Sequence, residues 1–263
     1  MKVKQPTAVA VKEQTNVALP PEWETQLAES AKDEAAVEQP AVQAFSLRAG
    51  VLSYNNQPMP DNKMRVIVAA SAFENALFIN KFDPNNIISP LCFALSENGE
   101  EMAPHDQSYK KQNDACLGCV NAEWGSDPNS PSGRGKACKE TRRLALIPED
   151  ALADVGKAQV AMLRVPVTSV ANWAQYVHML AASAKRPAWS VITEIQVVPD
   201  AKKQFQVKFT PVDAINDPKV LTELQETRKR AQQAVMTPYA MMTEEQFKEC
   251  TEEKEKPAKK RKF

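Results

Sequence analysis

The sequence of 263 residues has no excess of charge, because 33 lysines and arginines balance 33 aspartates and glutamates. Total charge therefore gives no argument for a polyanionic partner. The chain also lacks an apolar run long enough for a signal peptide or a membrane span, so we expect a cytoplasmic protein in a reducing compartment, with no membrane partner. Disulfides are rare in such a compartment, and the five cysteines favour metal binding over bridges.

Signatures of catalysis are scarce as well. With only two histidines, the sequence offers no persuasive Ser-His-Asp or Cys-His arrangement. It contains no P-loop, and no pair of carboxylates stands out as an acid and base. We therefore predict a protein that is not an enzyme.

Composition divides the chain into three parts. Residues 1–44 contain no glycine and carry four lysines against seven acidic residues, a net charge of −3, and we predict a disordered N-terminal tail. Residues 45–235 have the length of one domain. Residues 236–263 end in the charge run PAKKRK before Phe263 and are predicted to be a flexible, charged C-terminal tail.

Hydrophobic periodicity predicts a mixture of strands and helices in the central part. The predicted strands cover residues 45–54, 63–70, 142–147, 158–167, 189–197 and 205–209, whereas residues 72–83 fit a strand or a helix. Predicted helices are capped by Thr168 or Ser169, by Asp217, and by a capping box at Thr243. These elements predict a mainly β fold with helices, of the α+β class.

The expected architecture is an OB-like antiparallel barrel with a zinc-binding loop inserted at residues 92–138. A five-stranded barrel of this kind tolerates long loops and often binds oligonucleotides. A mixed α+β sandwich is the alternative architecture.

The inserted stretch holds four of the five cysteines and five of the seven glycines. The two residues between Cys116 and Cys119 let both thiolates point at one ion, and Gly118 permits the tight turn between them. Cys138 is a predicted third ligand. A stretch that gathers thiols but little apolar surface is typical of a segment that folds around a tetrahedral metal.

The fourth ligand is either Cys92 or His105. Cys92 is favoured because it ends a predicted strand directly before a Ser-Glu-Asn-Gly turn, whereas His105 lies in a polar loop. Four protein ligands leave no position for water, so we predict a structural Zn²⁺. The alternative is a group of free thiols in a flexible loop.

Basic and aromatic side chains are interleaved in the same stretch and just beyond it. Lysine and arginine bind phosphates while aromatic rings stack on splayed bases, which is the chemistry that a single strand requires. The candidate nucleic-acid-binding residues are Tyr109, Lys110, Lys111, Trp124, Arg134, Lys136, Lys139, Arg142 and Arg143. The alternative is that Trp124 packs over the turn that contains Cys116 and Cys119, here called the cysteine turn, and that the lysines are only solvated.

Several short motifs point to one group of proteins. The motifs are Pro90-x-Cys92, Ser96-x-Asn98-Gly99, Cys116-x2-Cys119, Trp124-Gly125-Ser126, Gly135-Lys136-Ala137-Cys138 and Arg142-Arg143-Leu144-Ala145. Together they resemble a group of bacteriophage proteins of replication regions, which look like zinc-containing single-stranded DNA-binding proteins. The resemblance covers about residues 45–210.

A looser similarity links the chain to the OB-fold helix-destabilising proteins of T4-like phages, which hold zinc with one histidine and three cysteines. Here the Cys-x2-Cys pair precedes the last cysteine, which departs from their order. The tail before Phe263 is basic, whereas strand-binding proteins of phages and bacteria commonly end in an acidic tail that recruits replication enzymes.

These observations predict a sequence-nonspecific single-stranded DNA-binding protein that acts in phage DNA replication or recombination. We expect it in the host cytoplasm if it is phage-encoded, with replication proteins or a host protein as further partners. The alternative is a phage protein-interaction module that docks on a host polymerase or defence protein. The neutral overall charge and the acidic N-terminal tail favour this alternative.

Overall fold

The computed structural model describes residues 20–23, 25–27, 29–30, 44–80, 88–130 and 133–255. The chain divides into two units, Met1–Val42 and Gln43–Phe263. In the first unit, the described residues between 21 and 30 are helical and exposed. Apart from Pro20 and Ala44, the rest of the predicted N-terminal tail lies outside the described residues, as does the predicted C-terminal tail from residue 256 onward.

The described residues of the second unit form nine strands in two sheets. A three-stranded antiparallel sheet contains β1 (Phe45–Arg48), β2 (Val51–Tyr54) and β3 (Gln57–Pro58). The other strands are β4 (Lys63–Leu77), β5 (Cys92–Ser96), β6 (Lys139–Pro148), β7 (Ala161–Val165), β8 (Val191–Asp200) and β9 (Gln204–Ala214). They form a six-stranded sheet in the order β7-β6-β4-β8-β9, in which β5 also pairs with β4.

Three α-helices accompany the sheets in this part of the chain: α1 (Val167–Met179), α2 (Pro218–Met236) and α3 (Glu244–Glu255). The predicted caps of α2 and α3 are confirmed, since Asp217 accepts from the backbone of Lys219 at 2.8 Å and Thr243 exchanges two hydrogen bonds with Gln246. Thr168 and Ser169 do not cap α1, because the helix begins at Val167 after Pro166. Among the described helices, none is long and apolar enough to cross a membrane.

The six-stranded sheet is buried on both faces at its central strands, β4 and β6. Successive side chains of a strand point to opposite faces, so Val66 and Val68 of β4 pack with Trp173 of α1, whereas Ile67 of β4 packs with Leu224 of α2. This explains why β4 and β6 read as continuous apolar runs (VIVAA and LALI), which is typical of strands covered on both sides. The ambiguous segment from residue 72 continues β4 as a strand to Leu77.

The mixed α+β class is confirmed, with mostly antiparallel pairing. Within the described ranges the ladders form an open path from β7 to β9, and the OB-like barrel is not confirmed. Each edge strand of this sheet, β7 and β9, has a further hydrogen-bonding partner outside the sheet. An isolated bridge joins Ala44 to Met162 of β7, and on β9 the backbone N–H and C=O of Val207 bond to Ser169 Oγ at 2.9 Å and Asn172 Nδ2 at 2.8 Å of α1.

The folded part extends beyond the predicted boundary at residue 235. Met242 and Cys250 are buried, and Phe247 of α3 stacks on Tyr109 with 5.0 Å between ring centroids. Residues 244–251 therefore pack on the domain through apolar side chains that recur at helical spacing after the capping box. The prediction of a flexible tail is wrong for these residues.

A fully buried carboxylate, Glu74, joins three strands to the segment after α2. Nε of Arg143 lies 2.7 Å from Oε1, Nε of Arg164 lies 2.6 Å from Oε2, and the hydroxyls of Tyr239 and Thr141 donate at 2.6 and 2.7 Å. Burial by itself would raise the pKa of the Glu74 carboxyl. The charges of Arg164 and Arg143 and the hydrogen bonds from Tyr239 and Thr141 outweigh burial and hold this pKa below its ordinary value.

We expect Glu74→Gln to lower the free energy of unfolding at neutral pH by about 3–5 kcal/mol, because the amide leaves buried positive charge uncompensated. The folded-state pKa lies below an unfolded value of about 4.3. Ionised Glu74 therefore stabilises the protein above about pH 4.3, and this contribution is lost as the pH falls through the folded-state pKa. Urea unfolding across this pH range should show a smaller acid-dependent loss for the variant than for the unmodified protein.

The matched control is Glu226→Gln, which removes a carboxylate from an exposed pair with Lys229. Exposed pairs contribute little to stability, so the control should unfold close to the unmodified protein. Equal destabilisation by the two substitutions at neutral pH would contradict the role given to Glu74.

Candidate functional site

The four cysteines of the 92–138 stretch line one small cavity next to the end of β4. Its volume is about 20 Å³, and about 10–15 Å³ accommodates one water-sized sphere. The cavity therefore has room for a single ion.

Strand pairing explains why residues so far apart in sequence meet there. β5 and β6 both pair with β4, with Cys92 opposite Leu77 and Lys139 opposite Ala76. Cys92 begins β5, so the prediction that it ends a strand is wrong, and Cys138 directly precedes β6. Both cysteines therefore lie at the same end of β4. The backbone N–H of Cys138 donates to the carbonyl of Asn121 at 2.8 Å. This hydrogen bond joins the start of β6 to the segment that follows the cysteine turn.

Hydrogen-bond donors surround the thiols. The backbone N–H of Gln112 bonds to Cys92, and the side chain of Asn75 bonds to Cys116. Burial raises the pKa of both thiols and outweighs these hydrogen bonds, which lower it. Burial, reinforced by the three neighbouring thiols, raises the pKa of Cys138 to about 12.

Proximity and coordination geometry are different conditions. In the described part of the chain, no three or more His, Cys, Asp and Glu side chains form a ready group of metal ligands. The four thiols nevertheless share one cavity and influence one another electrostatically. Coordination requires each sulfur to lie about 2.3 Å from one point, whereas lining a cavity requires only proximity. All four thiols line this cavity, and thiolates are a donor set that suits zinc.

His105 makes its contacts outside the cysteine cavity. Its ring stacks on Phe93, with 4.9 Å between centroids and 15° between planes, and its Nδ1 accepts a hydrogen bond from the backbone of Gln107 at 3.1 Å. It does not line the cysteine cavity, whereas Cys92 does. Of the two candidates for the fourth ligand, the geometry favours Cys92.

Three of the predicted nucleic-acid-binding lysines form ion pairs. The pairs are Lys111–Asp106 at 2.6 Å, Lys136–Glu140 at 2.7 Å and Lys139–Asp127 at 2.7 Å. All are partly exposed, so water and a ligand can still reach them. The pairs nevertheless reduce the positive charge that this surface presents.

The two arginines at the start of β6 occupy less open positions. Arg143 is buried, bonds to Glu74, and donates to the carbonyls of Val235 and Thr237 at the end of α2. Its prediction as a nucleic-acid contact is therefore corrected to a structural role. Arg142 is half-buried, with its guanidinium carbon 3.4 Å from the ring centroid of Phe73.

Trp124 is 76% exposed, with Nζ of Lys136 5.0 Å from its ring centroid. The alternative in which this ring packs over the cysteine turn is therefore not what the structure has. Arg134 is exposed nearby in sequence, and Leu117 and Val120 of the turn are also exposed, by 92% and 67%. An aromatic ring with one associated cation is thus presented to solvent.

A larger groove adjoins the cysteine cavity and shares Leu77, Gln112 and Asn121 with it. Its volume is about 980 Å³. Two predicted nucleic-acid-binding residues, Lys110 and Lys139, line this groove. Tyr109 stacks on Phe247, which is also in the lining.

Sequence reasoning missed four residues of this groove: Phe78, Arg164, Tyr239 and Phe247. Arg164 could have been found, because it is a single charged residue in the otherwise apolar strand AMLRV. Tyr239 and Phe247 lie in a segment predicted to be a tail, so only the structure brings them to the site.

Comparison of the chain with protein-family models, with curated proteins and with solved structures finds no match.

Proposed function

We propose that this protein binds single-stranded DNA without sequence preference and holds a structural Zn²⁺ in the cysteine cavity. The observation that carries the proposal is that a four-cysteine cavity of single-ion size adjoins a groove lined by cations and aromatic rings. In this proposal the metal fixes the cysteine turn, and the surfaces around the turn bind the strand.

The donor set supports zinc as the ion. Cysteine thiolates are preferred ligands of structural zinc, and four of them leave no position for a reacting water. Hydrogen bonds from Gln112 and Asn75 to the sulfur atoms would orient the ligands around the ion. Bound zinc would join the start of β5, the turn and the start of β6, and would offset the repulsion between neighbouring thiolates.

The exposed surface supports a single strand as the ligand. A base can stack on a ring as open as that of Trp124, while Lys136 beside it can approach a phosphate. Stacking does not discriminate strongly between bases, which agrees with binding that is independent of sequence. The motif resemblance supports a setting in phage DNA replication or recombination. The finer prediction of an OB-like barrel stays a proposal, and strand binding does not depend on it.

A second function is favoured by one observation, the exposure of Leu117 and Val120 on the cysteine turn. Aliphatic side chains contribute little to phosphate binding, and exposed apolar patches often mark protein interfaces. This surface would suit the protein-interaction module that docks on a host polymerase or defence protein. Capture of partners from a nuclease-treated host lysate separates the functions, because a DNA-binding protein should lose them and an interaction module should keep them.

We expect elemental analysis of the purified protein to find about one zinc ion per chain, consistent with one tetrahedral site. Cys116→Ser and Cys92→Ser should each lose the ion, because each removes a thiolate ligand. His105→Ala is the matched control and should retain it. A metal-free protein with the same free energy of unfolding as the zinc-loaded protein would refute the structural role.

We expect a fluorescently labelled oligothymidine to bind in low salt and to dissociate steeply as salt rises, because phosphate contacts release counterions. Trp124→Ala should weaken binding by about 1–3 kcal/mol, the usual contribution of one stacked base. Trp23→Ala removes another exposed tryptophan and should leave the affinity unchanged. Absence of binding by the unmodified, zinc-loaded protein at low salt would sink the proposed function.

A further inference from the structure

We infer that the single strand passes through the groove between the cysteine turn and α3, with Arg164 as a phosphate-binding residue and Phe78 and Phe247 as stacking residues. This inference rests on the proposed function and names a path for the strand. It extends the site to four residues outside the cysteine-rich stretch, namely Phe78, Arg164, Tyr239 and Phe247.

The charge of the groove suits a polyanion. Among the described residues that line it, the charged ones are Lys110, Lys139 and Arg164 against Asp127, a net charge of +2. The whole chain is neutral, so this lining is more positive than the protein on average. Positive charge concentrated in a concave surface attracts phosphates more effectively than the same charge spread over a convex one.

Arg164 is oriented before any ligand binds. Its Nε and Nη2 atoms contact Glu74, and Nη2 also donates to the hydroxyl of Tyr239. A guanidinium has five N–H donors, and the two on Nη1 have no partner among the described residues. The side chain is 45% exposed and lines the groove. A fixed, charged pair of N–H donors of this kind is well suited to a phosphate oxygen.

Aromatic rings accompany these cations. Phe78 meets Tyr239 edge-on, with 6.4 Å between centroids, and Phe247 stacks on Tyr109 at 5.0 Å. Each ring is therefore supported by another ring, while Phe78 and Phe247 also line the groove. Splayed bases could stack there while the backbone follows the cations, the combination that tracks a single strand.

The size of the groove is sufficient for a nucleotide. Pockets for single drug-sized ligands span about 300–1,000 Å³, and this groove, at about 980 Å³, lies at the upper end. The amide side chains of Gln112, Asn121 and Asn129 in the lining both donate and accept hydrogen bonds. They can therefore meet the edges of different bases without selecting one.

The decisive variant is Lys110→Glu in the full, zinc-loaded chain. Lys110 is exposed, so the substitution should leave the fold intact while it reverses one charge of the groove. We expect about tenfold weaker binding of labelled oligothymidine in low salt and a shallower salt dependence, because one phosphate contact is lost. Lys208→Glu is the matched control on exposed β9 surface outside the groove and should bind as the unmodified protein does.

A second measurement maps the contact without any substitution. Strands substituted with 5-iodouracil, crosslinked by light and analysed by mass spectrometry, should attach to peptides that contain Phe78, Tyr239 or Phe247. Crosslinks at Trp124 alone, with normal binding by Lys110→Glu, would overturn the groove path and leave strand binding in place. If Lys110→Glu binds DNA normally but loses a protein partner from nuclease-treated lysate, the groove is a protein site and the inference fails. No binding by the unmodified protein would instead reject the proposed function itself.

Discussion

The buried charge of Glu74 is the constraint around which this end of the domain is arranged. The carboxylate is compensated by Arg143 of β6 and Arg164 of β7, and by the hydroxyl of Tyr239 beyond α2. Arg143 in turn donates to the carbonyl of Val235 in the last turn of α2 and to that of Thr237 just after it, where the helix dipole favours positive charge. A buried carboxylate without these partners would be strongly unfavourable, so the positions of three strands, one helix end and the segment leading to α3 depend on one another.

The next residue along β4 connects this charge cluster to the cysteines. Adjacent side chains of a strand face opposite sides, and Asn75 bonds to Cys116 while Glu74 holds the arginines. The cysteine cavity and the groove also share Leu77, Gln112 and Asn121. In the proposed function, an ion that orders the cysteine turn would therefore also order one wall of the strand-binding groove. The metal would act on DNA binding through structure and without contact with the strand.

Local patterns in the sequence were sufficient for much of the fold. Alternation and apolar runs predict β4, β6 and the β8–β9 hairpin, and capping residues predict the starts of α2 and α3. The Cys-x2-Cys spacing singles out the turn whose thiols line the cavity. What failed depends on partners distant in sequence: Arg143 bonds to a residue 69 positions away, and Tyr239 to the same carboxylate across 165 positions. The sequence around Arg143 resembles that of an exposed basic pair, and only the tertiary fold supplies the carboxylate that buries it.

Two side chains of α1 protect β9, an edge strand of the six-stranded sheet. Ser169 accepts from the backbone N–H of Val207 and Asn172 donates to its carbonyl, which occupies both edge groups in the middle of β9. An unprotected edge of eleven residues would be a template for pairing with strands of other molecules. Because two polar side chains already fill the central position, copies of the chain at high local concentration could lie side by side without merging their sheets into an aggregate.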